Sequence, residues 1–473
     1  MTALRLTRIC ATIGPASRSP DRLVELIRAG IDIARLNFSH GTVDQHAETV
    51  RRIRAASKRA GRPVAICQDL QGPRIRIGSL SESVHLAAGD RVHLRTGKQG
   101  RSSPTRALAL PVTYAGLARE VRSGARILLK DGTIELRVKS VRADGLLAEV
   151  VRGGEVHAGC GLNAPDSTLD VPALTRRDRE HLKAGARMGV DAVALSFVRD
   201  ASDVTRARRL LAKEGSDALL IAKIERSAAI DALDGILSAA DGVIVARGDL
   251  GVECPLERVP ILQKEIIRSS VRHDAFCITA TQMLESMIRS SSPTRAEVSD
   301  VANAILDGSD AVMLSGETAV GDHPVEAVRT MARIAKMVEA EGPPPAAPIA
   351  APRSKDDFVP ALARAAVELA VKSDASALVA VTESGHIAAL LSAERPGRPV
   401  YALVGDEAVA RRLLFRRGVE PRVLRFGADD DAFERSLATL RKEGALKRRD
   451  VVVLVGGTTA AQGAMNALRV VRV

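Results

Sequence analysis

Two short apolar segments of this chain end in charged side chains suited to phosphate and metal chemistry. The segment ALLIA at 218–222 is followed by Lys223 and Glu225, and the segment GVIVA at 242–246 leads to Asp249. Both have the length and composition of buried parallel strands, whose carboxyl ends are where barrels and sheets bind ligands. Two carboxylates there suit Mg²⁺ or Mn²⁺, and the lysine suits a phosphate. A salt-bridge cluster closing a barrel rim is the alternative interpretation.

Other polar side chains also follow apolar segments. They are Arg35, Asn37, Ser39 and His40 after the second segment, Asp69, Gln71 and Arg74 after the third, Gly248 and Asp249 after the sixth, Thr281 after the seventh, and Ser315 and Glu317 after the eighth. Chance would distribute such groups over both ends of a barrel, so clustering at one end indicates an active site. Cationic groups beside a divalent metal favour a small, multiply anionic substrate and phosphoryl transfer. Zinc is not expected, because the histidines lack ligand spacing.

The elements that must position these groups alternate regularly. Eight apolar segments alternate with amphipathic helical stretches, at 9–13, 31–36, 64–70, 192–198, 218–224, 242–246, 275–280 and 311–315. Eight β/α units predict a TIM-type (β/α)8 barrel. An open, doubly wound sheet is the alternative at this stage.

Two interruptions divide the chain into domains. From 73 to 170 the pattern changes to short alternating strands and Gly-Asp turns, which predicts an inserted all-β lid domain after strand three. The proline-rich stretch 342–352 is typical of a stiff linker, and βα alternation restarts after it. The predicted domains are therefore a barrel at 1–72 and 171–341, the lid at 73–170, and a C-terminal α/β domain at 353–473.

Composition limits the classes of partner. The chain has 473 residues and a net charge of +12, but aromatic residues make up only 2%. Base stacking needs exposed rings, so no nucleic-acid partner is expected. Five cysteines without a C-x-x-C pair fit a reducing compartment. Without a signal-type start or an apolar run of about 18 residues, the sequence predicts a cytoplasmic protein with no membrane partner.

Six longer stretches, in this order, resemble the pyruvate kinase family. They are RICATIGPAS at 8–17, ARLNFSHG at 34–41, IAKIE at 221–225, VARGDLGVE at 245–253, TATQMLESMI at 279–288 and PTRAEVSDVANAILDGSDAVMLSGET at 293–318. The similarity covers the whole barrel and continues more weakly through the lid and the C-terminal domain. The resemblance implies transfer of the phosphoryl group of phosphoenolpyruvate to ADP, giving pyruvate and ATP in glycolysis, by a homotetramer.

The resemblance also implies roles for the residues that carry the phosphoryl group and the metal. Glu225 and Asp249 would bind Mg²⁺ or Mn²⁺, and Lys223 would stabilise the phosphoryl group in transit. Arg35 would contact the same phosphate. Enolpyruvate is a good leaving group because it tautomerises to pyruvate, so the protein need only neutralise charge and exclude water. A rim salt bridge is the alternative for Arg35.

Further roles follow from the same resemblance. Gly248, Asp249 and Thr281 would hold the substrate carboxylate, and Thr281 marks the place where the enolate is protonated, with Ser315 and Glu317 behind it. The positions near the nucleotide phosphates and a second metal are Asn37, His40 and Arg76. The alternatives are a helix cap for Ser315 and Glu317, a structural role for His40, and a salt bridge for Arg76.

One departure concerns the monovalent cation. Potassium-requiring members typically read D-T-K-G-P-E-I-R-T where this chain reads DLQGPRIRI at 69–77, so Arg74 replaces the glutamate that completes their K⁺ site. Ser39 and Asp69 match other positions of that site. A fixed side-chain cation can supply the missing charge, which predicts activity without added K⁺. Pairing of Arg74 with an acid of the lid is the alternative.

A second departure keeps other functions open. Residues 157–160, HAGC, replace a basic run of the family that reaches the nucleotide, so the lid is expected to grip ADP differently. This change motivates a non-catalytic or altered-specificity relative as the second hypothesis. A metal-dependent pyruvate-enolate lyase is the third, but it would need neither the lid nor the Arg35 cluster.

Overall fold

The computed structural model describes residues 4–96, 107–167, 169–342, 358–426, 431–456 and 467–473. The first barrel segment contains β1 (Arg8–Thr12), α1 (Pro20–Ala29), β2 (Ile33–Asn37), α2 (Val43–Ala60) and β3 (Ala65–Asp69). The inserted region contains β4 (Val84–Leu86), β5 (Arg91–Thr96), β6 (Leu108–Val112), α3 (Leu117–Glu120), β7 (Arg126–Leu129), β8 (Ile134–Arg142), β9 (Gly145–Arg152), β10 (Gly154–Val156) and β11 (Leu162–Asn163).

The chain then returns to the barrel. This segment contains α4 (Arg176–Met188), β12 (Ala192–Leu195), α5 (Ala201–Lys213), β13 (Leu219–Ile224), α6 (Ser227–Asp231), α7 (Leu233–Ala239), β14 (Gly242–Ala246), α8 (Arg247–Glu253), α9 (Val259–Arg272), β15 (Phe276–Ala280), α10 (Arg295–Leu306), β16 (Ala311–Leu314), α11 (Gly316–Ala319) and α12 (Pro324–Ala340), with short 3-10 helices at Leu256–Arg258 and Glu285–Ile288. The C-terminal domain contains α13 (Val359–Lys372), β17 (Ala377–Val381), α14 (His386–Ala393), β18 (Val400–Val404), α15 (Glu407–Leu413), β19 (Val419–Val423), α16 (Ala432–Lys442), β20 (Val451–Gly456) and β21 (Ala467–Arg472).

Eight parallel strands close into a barrel in the order β1, β2, β3, β12, β13, β14, β15, β16 and back to β1. The predicted (β/α)8 architecture is therefore confirmed, and the open sheet is excluded because β1 pairs with β16 as well as β2. The fourth strand ends at Leu195 rather than at 198. It ends early because Phe197 adopts a left-handed conformation, with φ of 58°.

A repeated aspartate fixes the register at the amino ends of the barrel strands. One aspartate precedes each even-numbered barrel strand and accepts the backbone N–H of the preceding odd-numbered strand. The contacts are Asp32 with Ile9 at 2.8 Å, Asp191 with Ile66 at 2.7 Å, Asp241 with Leu220 at 2.7 Å, and Asp310 with Cys277 at 3.0 Å. Hydrogen bonds from backbone N–H to a carboxylate are charge-assisted and therefore stronger than neutral ones. This ring leaves the opposite, carboxyl end of the barrel free for a binding site.

The inserted region after β3 is an all-β domain with its own core, as predicted. Its six-stranded sheet has the order β11, β7, β8, β9, β5, β6, and β4 pairs with β10 in a second, two-stranded sheet. The β5–β6 pair is parallel, whereas the other pairs are antiparallel. Its apolar side chains form a cluster separate from those of the barrel.

The C-terminal α/β domain covers the amino end of the barrel. Its sheet has the order β19, β18, β17, β20, β21, and only β21 runs antiparallel to its neighbour. Leu414 and Phe415, directly after α15, join the cluster that fills the barrel interior, and the Phe415 ring lies 5.1 Å from the ring of Phe276. Arg395 and Asp310 form a fully buried ion pair beside them, at 2.8 Å. The domain therefore closes this end of the barrel.

The predicted linker at 342–352 lies, apart from its first residue, outside the described residues. The domain limits given above stay predictions. Among the helices of the described part of the chain, none combines the length and apolar character needed to cross a lipid bilayer.

Candidate active site

A row of alternating charges lies at the carboxyl ends of the barrel strands. Arg35, on β2, pairs with Asp69 at the end of β3, with Nη2 and Oδ2 2.6 Å apart. Lys223, on β13, has its Nζ 3.4 Å from Asp69 Oδ1 and 2.8 Å from Glu225 Oε1. Lys223 also donates to the Ser196 hydroxyl, which follows β12, at 2.8 Å. Residues distant in sequence are thus joined because their strands are neighbours in the barrel.

Burial and neighbouring charges set the protonation states of this row. Burial opposes the charged form of Asp69, but Lys223 and Arg35 more than offset it, so its pKa lies below the ordinary value. Burial likewise opposes the cation of Lys223, yet Asp69 and Glu225 keep its pKa above the ordinary value. Burial, with a further contribution from the charge of Asp249, raises the pKa of Glu225 to about 7, while Lys223 opposes the shift. The site around Glu225 is therefore short of positive charge.

Unusual backbone conformations concentrate where the strands end. Phe197, Thr281 and Gln282 have φ values of 58°, 69° and 55°. Such conformations cost about 1–3 kcal/mol each outside glycine and persist only where surrounding contacts hold them. At Phe197 the benefit is visible, because its backbone N–H donates to Glu225 Oε2 at 2.6 Å. The turn after β12 therefore orients the carboxylate that the sequence assigned to the metal.

The helix α8 begins directly after β14 and places Asp249 in its first turn, as the sequence predicted. The Gly248 N–H donates to the Thr281 hydroxyl at 2.9 Å, and that hydroxyl donates to the carbonyl of Ala280 at 2.6 Å. Arg247 anchors the same loop, donating to the Thr281 carbonyl at 2.5 Å and pairing with an α10 carboxylate. The loops after β14 and β15 are thus held as one unit.

Ser315 and Glu317 support the loop after β15 from behind. Glu317 is buried, and its carboxylate accepts the N–H groups of Leu284 at 3.0 Å and Ser315 at 2.7 Å. Burial raises its pKa. The Ser315 side chain makes no capping hydrogen bond at α11, and within the described residues neither side chain bonds the Thr281 hydroxyl. Glu317 therefore orders this loop, whatever it does to a proton.

The positions predicted for the nucleotide are distributed between barrel and lid. Asn37, at the end of β2, accepts the Ser39 N–H at 3.1 Å, and His40 is exposed on the following loop. Arg76 lies at the entry to the lid and donates to the Gly159 carbonyl at 2.7 Å. These side chains make no contact with Lys223 in the described part of the chain.

A cleft of about 700 Å³ separates the lid from the barrel. Arg74 and Asn163 line its lid side, and Phe197, Arg226 and Asp249 line its barrel side. Arg74 is exposed and forms no ion pair with any described residue, so pairing with an acid of the lid is absent from the described contacts.

The sequence analysis missed four residues of this cleft and its surroundings. They are Ser196, Arg199, Arg226 and Glu253. Arg226 lies over the Phe197 ring at 5.3 Å, and Glu253 accepts from Asn163 of the lid at 3.0 Å. The polar run SFVR at 196–199 directly follows the fourth strand, so the rule applied to the other strands would have found two of the four.

The donor set at this site fits a hard divalent cation. Glu225 and Asp249 influence each other's charge, and both offer carboxylate oxygens. No group of three His, Cys, Asp or Glu side chains within the described residues is arranged to hold a metal. Mg²⁺ commonly takes one or two protein carboxylates and completes its shell with water and substrate phosphate oxygens, so a two-carboxylate site is consistent with it.

A TIM barrel with a charged row at its carboxyl mouth, two carboxylates for a metal and a lid over the cleft defines a metal-assisted phosphotransferase. Comparison with known proteins identifies the family. The barrel domain of pyruvate kinase matches residues 4–328, and its alpha/beta domain matches residues 360–471. The chain belongs to the pyruvate kinase family, whose members convert phosphoenolpyruvate and ADP to pyruvate and ATP in glycolysis.

Several curated relatives match over nearly the whole chain. Pyruvate kinase 2 of a Synechocystis species is 43% identical over 99% of this chain and 79% of its own length. The pyruvate kinase of Geobacillus stearothermophilus is 42% identical over 98% of this chain and 80% of its own length. The pyruvate kinase of Mycobacterium tuberculosis is 41% identical over 99% and 98%, respectively.

Proposed function

We propose that the row Arg35, Lys223, Glu225 and Asp249 carries phosphoryl transfer from phosphoenolpyruvate to ADP in this chain. The observation that supports this most directly is the placement of Lys223 between two carboxylates at the strand ends, where its ammonium stays charged. Such a fixed cation stabilises a phosphoryl group whose charge is spread over three oxygens. Arg35, held by Asp69 and Thr12, is oriented to bind the same group.

The proposed reaction breaks the bond between phosphorus and the enol oxygen and forms one to an oxygen of ADP. Glu225 and Asp249 would hold Mg²⁺ or Mn²⁺, which neutralises charge on the phosphate when bound. Gly248, Asp249 and Thr281 form the proposed place for the substrate carboxylate. The enolate left behind takes a proton on carbon near Thr281, and Ser315 and Glu317 keep that loop in place.

The nucleotide and its closure are assigned to the lid side of the cleft. Asn37, His40 and Arg76 are the proposed contacts to the phosphates of ADP. Closing the lid excludes water, which would otherwise accept the phosphoryl group in place of ADP. The contact of Asn163 with Glu253 gives the lid one fixed point on α8.

The experiment that tests this proposal measures pyruvate release from phosphoenolpyruvate with ADP and Mg²⁺, for the wild type and for Lys223→Met. Methionine keeps the length of the side chain but removes the charge, so kcat should fall about 10²–10³-fold. Circular dichroism should remain native, because Glu225 can take up a proton when its partner is lost. Lys213→Met, at an exposed lysine on α5, is the matched control. A wild-type rate in Lys223→Met would refute the role of Lys223.

The metal role predicts a separable defect. Asp249→Asn keeps the shape of the side chain but removes half of the proposed carboxylate pair. The Mg²⁺ concentration needed for half-maximal rate should rise at least about tenfold, since binding to a charged ligand contributes roughly 1.5–3 kcal/mol. Unchanged Mg²⁺ dependence in this variant would contradict the assignment.

Three further features are proposed on the resemblance. The active form is a homotetramer, which light scattering tests directly, and the exposed apolar side chains of Leu256 and Ile261 offer surface for such an interface. The compartment is the cytoplasm, in keeping with the free cysteines of the chain. Activity needs no added K⁺, because Arg74 supplies a fixed cation; a strict requirement for K⁺ over Na⁺ would contradict this.

A further inference from the structure

The loop between β2 and α2 is held by a histidine to which the proposed reaction gives no role. His46, near the start of α2, stacks on Phe38, with ring centroids 3.8 Å apart and planes 10° apart. Its Nε2 lies 2.8 Å from the carbonyl oxygen of His40. Because a carbonyl oxygen only accepts hydrogen bonds, Nε2 carries the hydrogen and donates it. One side chain therefore contacts this short loop at two points.

The surroundings fix the position of His46. Phe38 is fully buried, and its ring also meets that of His181 on α4, with centroids 5.3 Å apart. Gly41 has a φ of 79°, and a Cβ there would lie 3.0 Å from the side-chain oxygen of Gln45 and 3.6 Å from His46 Nε2. The loop can pass this close to His46 only because residue 41 is glycine.

The same loop carries two of the proposed nucleotide contacts. The His40 N–H donates to the Asn37 carbonyl at 3.3 Å, and the Asn37 side chain accepts the Ser39 N–H at 3.1 Å. The Phe38 N–H donates to the Asp69 carbonyl at 2.9 Å, which ties the loop to β3. The loop is therefore one hydrogen-bonded unit, and its outer half is anchored by His46 alone among these contacts.

We propose that His46 is a positioning residue for nucleotide binding, which holds the 37–41 loop so that Asn37 and His40 meet the phosphates of ADP. The inference rests on the proposed function, because Asn37 and His40 are assigned to the nucleotide there. His46 touches no reacting group. It acts on ADP affinity through the position of the loop, and phosphoenolpyruvate, bound at the Lys223 row, is unaffected.

Two substitutions separate the hydrogen bond from the stacking. His46→Phe keeps a ring against Phe38 but cannot donate to His40, whereas His46→Gln keeps a donor and loses the ring. In His46→Phe the KM for ADP should rise about five- to tenfold, the effect of losing one hydrogen bond. The KM for phosphoenolpyruvate and the melting temperature should stay at the wild-type values. His46→Gln should give a smaller rise in the KM for ADP.

A matched control and the opposing outcomes complete the test. His85→Phe makes the same change at an exposed histidine on β4 and should alter neither KM. A wild-type KM for ADP in His46→Phe would overturn the inference, as would equal increases for both substrates. If His46→Phe fails to fold, a rise in KM for both substrates in His46→Gln overturns it equally. A wild type that releases no pyruvate would overturn the proposed function instead.

Discussion

At the residue scale, Arg74 marks the departure that matters most for conditions of activity. It replaces a glutamate of potassium-requiring members, and it lines the cleft without an ion-pair partner in the described part of the chain. A guanidinium in this setting keeps its charge at all accessible pH values and presents several donors. It is therefore able to replace a bound monovalent cation permanently.

Reversing this charge should create a cation requirement. We expect Arg74→Glu to lose about tenfold or more of its activity in Na⁺ medium and to recover most of it with K⁺, since a charged contact contributes roughly 1.5–3 kcal/mol. Arg74→Lys, which keeps the charge, should remain active without K⁺. The measurement is initial velocity across a K⁺ series at constant ionic strength. Equal rates in K⁺ and Na⁺ for Arg74→Glu would exclude a role of this position in cation dependence.

Much of the charged row was predictable from residue types, but its hydrogen bonds were not. Lys223 and Glu225 follow an apolar segment, so the strand rule placed them at the mouth of the barrel. The donors that orient them, Ser196 and the N–H of Phe197, arise from a left-handed turn that no glycine or asparagine signals. Its conformation depends on contacts with β13, which are remote in sequence.

At the element scale, the barrel strands are held at their amino ends by the aspartate ring and by the C-terminal domain. Three of the ring members bind arginines of that domain or their neighbours: Asp191 pairs with Arg411 and Asp310 with Arg395, while Asp32 pairs with Arg8, which also pairs with Glu420. Phe415 fills the space that they surround. The sequence predicted both domains, yet gave no indication of this contact, because it joins segments roughly a hundred residues or more apart.

Removing the Phe415 ring should loosen this junction. Phe415→Ala leaves a cavity against Phe276 and should lower the free energy of unfolding by about 3–5 kcal/mol. Phe358→Ala, at a side chain 62% exposed, should change it by less than about 0.5 kcal/mol. Calorimetric melting of both variants measures the difference. Equal melting temperatures would show that the Phe415 contact contributes little to the stability of the barrel.

The lid illustrates what element patterns cannot supply. Alternation and turn residues predicted an all-β domain, and the boundaries of β8 and β9 follow from that pattern. The parallel pairing of β5 with β6 does not follow, because strand order depends on side-chain packing between distant segments. The eight-fold alternation of the barrel is more informative, since parallel strands with intervening helices have few ways to close.

At the scale of the whole molecule, the two ends of the barrel use buried charge differently. The carboxyl end holds a row of opposite charges that faces the cleft, ready to change partners when substrate binds. The amino end holds fully paired ions, of which Asp310 and Arg395 are each about 2% exposed. Breaking a buried pair leaves one charge without a partner, at a cost of about 3–5 kcal/mol. The amino end is therefore the structural base of the enzyme.

This arrangement predicts a stability that falls in acid. Burial opposes the charged form of Asp310, but Arg395 more than offsets it and keeps its pKa below the ordinary value. A depressed carboxyl pKa contributes stability that is fully present above the unfolded-state value of about 3.9 and is lost as pH falls towards the folded-state pKa. Asp32 and Asp69 shift in the same direction. The melting temperature should therefore drop steeply below about pH 4.

The variant Asp310→Asn isolates one part of this effect. At neutral pH it should be about 3–5 kcal/mol less stable than the wild type, because Arg395 keeps its burial but loses its counter-charge. Below about pH 4 the gap should narrow, since protonation of Asp310 in the wild type removes the same charge. Asp374→Asn, at a fully exposed carboxylate, should leave the pH profile unchanged. A gap that stays constant from neutral pH to about pH 3 would show that the contribution of Asp310 is not electrostatic.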